Sequence, residues 1–98
     1  MKIRHGFVSN SSSSSFCMLG VQTDMYTDFY EYDEDILAID GYNLGMCIGY
    51  DPSPYLEKYK LPEACEQVKQ RLKEKLPKEI YEHIKNDKVD LLWDIYED

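Results

Sequence analysis

Apolar residues along this chain fall into short clusters of two different periods, and the change of period outlines the fold. Residues 16–21, Phe-Cys-Met-Leu-Gly-Val, are almost wholly apolar and read as a buried strand, with Gly20 marking a bulge or a close approach of two backbones. Segments 36–40 and 44–50 form the clearest strand pair. Between them lie Gly41, Tyr42 and Asn43, and glycine and asparagine tolerate the positive φ that such reversals require. Asp51-Pro52-Ser53-Pro54 then stops the second strand, because proline has no N–H for a ladder and restricts the residue before it. From there the spacing becomes helical. Ala64, Val68, Leu72 and Leu76 recur every fourth position, giving one apolar stripe on a helix that opens at Leu61-Pro62-Glu63. Glu66, Lys69, Gln70, Lys73 and Glu74 cover its other side. Pro77 ends or kinks this helix, and residues 78–85 predict a second short one with Ile80 and Ile84 facing inward.

Two stretches do not settle on one period. In residues 22–35 acids and aromatics are mixed, so a short helix, an irregular strand and a loop all remain open. In residues 89–96, Val89, Leu91, Trp93 and Ile95 alternate as in a strand, while Val89, Leu92, Trp93 and Tyr96 also satisfy a helical period. The concentration of aromatic and β-branched residues favours the strand. Residues 1–8 read as the start of an edge strand, and Asn10 with the serines after it as a loop. The sum is an α+β fold in a single domain spanning residues 1–98. A small, mostly antiparallel sheet of three or four strands packs against one or two helices from the C-terminal half.

Composition narrows the class. A chain of 98 residues supports one modest core, and 43% hydrophobic with 13% aromatic residues is too apolar for a disordered chain. No apolar run approaches 18 residues, and no secretory-type apolar segment opens the chain. Cys17, Cys47 and Cys65 are odd in number and widely spaced, which fits a reducing cytoplasm better than a disulfide framework. Their spacing matches no compact zinc site, only His5 and His83 offer imidazole, and neither metal nor cofactor is expected.

Charge is the sharper signal. The net charge is −8, and no lysine or arginine occurs between Arg4 and Lys58. That span holds Asp24, Asp28, Glu31, Asp33, Glu34, Asp35, Asp40, Asp51 and Glu57. Such a field opposes direct nucleic-acid binding, which draws on clustered bases, and it suits attraction to a basic protein surface. On this reading Asp24, Asp28, Asp33, Asp35 and Asp40 steer the encounter, and Tyr26, Tyr30 and Tyr32 supply contact area. The acid run lacks the glycine and ligand spacing of an EF-hand loop. Homo-oligomerisation stays open, and no membrane partner is expected.

The serine tract Ser11, Ser12, Ser13, Ser14 and Ser15 is the most unusual string. Its hydroxyls and N–H groups suggest, as an alternative, a loop binding a small ligand or phosphate. The tract has no glycine-lysine phosphate-loop pattern, no G-x-S-x-G and no S-x-x-K, so no catalytic residue is assigned. Residues 2–16, Lys-Ile-Arg-His-Gly-Phe-Val-Ser-Asn-Ser-Ser-Ser-Ser-Ser-Phe, resemble the opening of a group of small uncharacterised proteins of bacteriophages and bacteria that begin with a GFVSNSSSSSF-type segment. The resemblance implies a phage or mobile-element accessory protein in the host cytoplasm, with residues 9–15 a recurring N-terminal recognition module. It implies no catalytic role.

Overall fold

A computed structural model of the protein describes residues 15–86 and 88–96. The expected strand over 1–8, His5 and Ser11 to Ser14 lie outside these residues. Four strands form one antiparallel sheet: β1 (Ser15–Gln22), β2 (Leu37–Gly41), β3 (Gly45–Tyr50) and β4 (Asp90–Ile95), in the spatial order β2-β3-β1-β4. Helices α1 (Pro52–Leu56), α2 (Leu61–Lys75) and α3 (Lys78–Tyr81) fill the interval between β3 and β4. The α+β architecture read from the sequence is the one observed.

The apolar stripe of α2 packs as its spacing requires. Ala64, Val68 and Leu72 are fully buried, and they meet Leu19, Val21, Ala38, Met46, Ile48 and Tyr50 on one face of the sheet. Full burial of Val68 and of Leu72 contributes roughly 1.5–3 kcal/mol each, and the Ala64 methyl less. Leu76 ends the helix in extended conformation just before Pro77, which cannot continue it. The segment that sequence left open, 22–35, holds one 3-10 turn, Phe29–Glu31, which plugs Phe29 into this core.

Two elements differ from the sequence reading. Asp51-Pro52 does stop β3, but it also starts α1: the Asp51 carboxylate accepts the Ser53 N–H at 3.0 Å, and Pro52 takes the first helical position. Helix α3 is shorter than the expected 78–85. The His83 carbonyl accepts the Thr23 hydroxyl and the Asp24 N–H, and Lys85 N–H donates to the Gln22 carbonyl. Those bonds pull the chain off the helix and place Ile84 in a bridge opposite Thr23.

The other face of the sheet carries a second core, built from Phe16, Met18, Leu37, Ile39, Cys47 and Tyr96. No residue of the three helices belongs to it. The sheet instead coils so far that its two outer strands meet at one end, where Tyr42 N–H, just after β2, donates to the Ile95 carbonyl of β4 at 2.7 Å. Gly20 and Gly49, directly opposed on β1 and β3, permit this curl. A Cβ on either would lie 2.1 Å from the partner strand's carbonyl oxygen, Ile48 O or Leu19 O. The close backbone approach expected at Gly20 is thus the observed one, and Gly49 is its counterpart.

Candidate functional site

The acid-rich stretch divides into carboxylates that build the fold and carboxylates that face solvent. Asp33 belongs to the first group. Its Oδ2 accepts the Tyr50 hydroxyl at 2.8 Å and Arg71 Nε at 2.9 Å, and its Oδ1 accepts Arg71 Nη2 and the Asp35 N–H. Arg71 also donates to Asp35 Oδ2 at 3.1 Å and to the Tyr55 hydroxyl, and its guanidinium lies over the Tyr50 ring at 4.3 Å. Burial pushes the Asp33 pKa up, but the bonds from Asp35, Tyr50 and Arg71 outweigh it and hold the carboxyl below its ordinary value. Burial, with Asp33 adding to it, keeps the Tyr50 hydroxyl protonated and hence a donor. This network ties the 3-10 turn, β3, α1 and α2 together, so Asp33 contributes to cohesion more than to the outer field.

The remaining expected site residues lie nearer the surface. Asp24 is exposed and meets His83 Nδ1 at 3.0 Å. Asp35 is largely exposed beside Arg71. Asp28 is half-buried, with one carboxylate oxygen shielded and without a hydrogen-bond partner. Asp40 is exposed and accepts the hydroxyl of Tyr26, whose ring is 61% exposed, at 3.3 Å. Tyr30 and Tyr32 are half-buried, and Tyr32 packs on the helix-side core. Thus Asp24, Tyr26, Asp35 and Asp40 present polar groups to solvent, while Tyr32 and Asp33 are largely taken up by the fold. Of the serine tract only Ser15 is described, and it is the first residue of β1, paired with Ile95.

Sequence reasoning missed the end of β4. The alternation of Leu91, Trp93 and Ile95 correctly signals a strand; these three side chains lie on the α2 side of the sheet, opposite Leu19, Cys17 and Ser15 of β1, yet at the β4 edge they stay 41%, 66% and 38% exposed. The inward set is Leu92, Asp94 and Tyr96. Asp94, only 1% exposed, accepts the Asn43 N–H (2.9 Å), Asn43 Nδ2 (2.9 Å), the Leu44 N–H (2.7 Å) and the Ile95 N–H (2.8 Å). Burial alone would raise its pKa, and the donated bonds overcome this and lower it. A Cβ at Gly41 would fall 2.3 Å from its Oδ2, so that glycine makes room for the carboxylate.

Catalytic or metal chemistry finds little to build on among the described residues. No group of three metal-ligating side chains converges there. The imidazole of His83 is engaged by Asp24. All three cysteines are free, and burial pushes each thiol up, Cys47 to about 12. An open cleft of about 380 Å³ between α2 and the run into β4 is lined by Leu61, Pro62, Cys65 and Val89, with Glu66, Lys69, Lys88 and Asp90 beside them. It offers apolar surface and no paired nucleophile and base. No described helix is long and apolar enough to cross a membrane. Compared with known proteins, the chain matches no family model, no curated protein and no solved structure.

Proposed function

We propose that this protein is a non-enzymatic acidic accessory protein, of phage or mobile-element type, that docks on the basic surface of another protein in the host cytoplasm. The observation that carries this reading is the uneven distribution of charge. From the 53 residues between Arg4 and Lys58, Asp24, Glu31, Asp35 and Asp40 reach the surface, while Arg71 meets Asp33 and Asp35, and His83 meets Asp24, in ion pairs. Glu31 and Asp40 have no basic partner among the described residues. A surface of this kind raises the encounter rate with a basic partner and excludes polyanions. The phage assignment is drawn from the opening segment alone.

The test is affinity capture from a bacterial host with the natural chain, alongside a chain in which Asp24, Asp35 and Asp40 are changed to asparagine. A specific host protein with a basic surface, retained by the first and lost by the second, is the expected result. Equal retention by both removes the electrostatic basis of the proposal.

A further inference from the structure

We propose that the outer face of β4, centred on Trp93, is where the basic partner docks, and that it takes an arginine-bearing segment. The inference rests on the reading given above and names the contact surface, which differs from the acidic loop that the sequence alone suggests. Among the described residues, the three most exposed large hydrophobic side chains are Tyr42 at 70%, Trp93 at 66% and Tyr26 at 61%. They belong to one chain of neighbours. Trp93 and Ile95 share a face of β4, Ile95 accepts the Tyr42 N–H, and Asp40, two residues before Tyr42, holds the Tyr26 hydroxyl. Carboxylates border this chain: Asp40 itself, exposed Asp90 at the start of β4, and Asp51, which lies close enough to raise the pKa of Cys17, directly across from Trp93. Exposed aromatic faces between carboxylates are complementary to guanidinium groups, which stack on rings and form forked bonds to acids.

Two further observations argue against other occupants. The Leu91 and Ile95 N–H groups, which leave the β1 side of β4, are already taken by the carboxylates of Asp90 and Asp94. The strand edge is therefore blunted against addition of another strand, and docking falls to the side-chain face. A net charge of −8 on each chain opposes a second copy here and favours a basic ligand.

Trp93 is the sole tryptophan, so its emission reports on this face alone. The experiment titrates the full chain, at low salt, with an arginine-rich peptide and with a lysine-rich peptide of equal length and charge. It is repeated by calorimetry on Trp93→Ala and Trp93→Phe. The expected result is a saturable change in Trp93 emission and binding of the arginine peptide about two- to fivefold tighter than the lysine peptide. Trp93→Ala should lose that preference and Trp93→Phe should keep most of it. Binding that leaves the emission unchanged and is equal in Trp93→Ala overturns the proposed surface while the basic-partner reading stands. Failure of both peptides to bind overturns the basic-partner reading and this inference with it. Self-association that disappears in Trp93→Ala assigns the face to a second copy and also overturns the inference.

Discussion

Asp94 on the last strand holds Asn43 at the tip of the β2–β3 hairpin through two hydrogen bonds of 2.9 Å, one from the backbone and one from the side chain. The two residues sit on opposite edges of the sheet, so the pair clasps a coiled sheet whose outer strands would otherwise end apart. Three bonds from the hairpin tip converge on one buried carboxylate, and bonds to a charged acceptor are worth roughly 1.5–3 kcal/mol each. Replacing Asp94 with alanine should therefore cost about 3 kcal/mol, because the part-buried donors at Asn43 and Leu44 lose their charged acceptor. Urea unfolding gives the measurement. A midpoint within error of the natural chain would show that the clasp contributes nothing.

The glycine pair behind the clasp makes a second expectation. Gly49→Ala forces a Cβ against the Leu19 carbonyl, which is backbone and yields only if the strands part. The expected loss is about 2–3 kcal/mol, typical of overpacking. Gly45→Ala has open space but a φ of 75°, so it should cost only about 1 kcal/mol. If the two substitutions are equally costly, the close approach of β1 and β3 is not what limits position 49.

Acid should act through Asp33 and Asp94. Both have folded pKa values below the ordinary 3.8, so the stability they give is fully present above that value and is lost as pH falls below it, through the folded pKa. The gap in urea midpoint between the natural chain and Asp94→Asn should stay constant from neutral pH to about 4 and close only below. A gap that has already closed at pH 6 contradicts the assignment.

Thiol reactivity separates the three cysteines. Cys47 is fully buried in the second core with its thiol pushed up to about 12, while Cys17 and Cys65 are half-buried. Alkylation of the native protein at pH 8, read by mass spectrometry, should modify Cys17 and Cys65 slowly and Cys47 only on unfolding. Rapid native labelling of Cys47 would mean that the second core opens readily.

What was legible in the sequence was local. The four-residue spacing of Ala64, Val68, Leu72 and Leu76 identifies α2 because a helix repeats its faces at that period, and the break after residue 40 identifies the β2–β3 hairpin, although the glycine with positive φ is Gly45 and not Gly41, which ends β2 beside Asp94. Partners distant in sequence were not legible. An acid run resembles a solvated face until Arg71, 38 positions after Asp33, is folded against it. Alternation at 89–96 reveals the strand, but it does not say which face will be buried. Here the more hydrophobic face, with Leu91, Trp93 and Ile95, is the open one, and the face carrying Asp94 is buried, because the hairpin tip supplies that carboxylate with donors.

The proposed hold of an acidic surface with exposed aromatics on a basic protein is electrostatic at root. Its most direct measurement is the affinity of the captured partner as a function of salt, between about 50 and 300 mM, where the Debye length falls from roughly 14 to 6 Å. A steep, continuous weakening over that range is expected, and a shallower one for the chain with Asp24, Asp35 and Asp40 neutralised. An affinity of the natural chain that stays constant across the range, or an equally steep loss in the neutralised chain, would contradict this electrostatic hold.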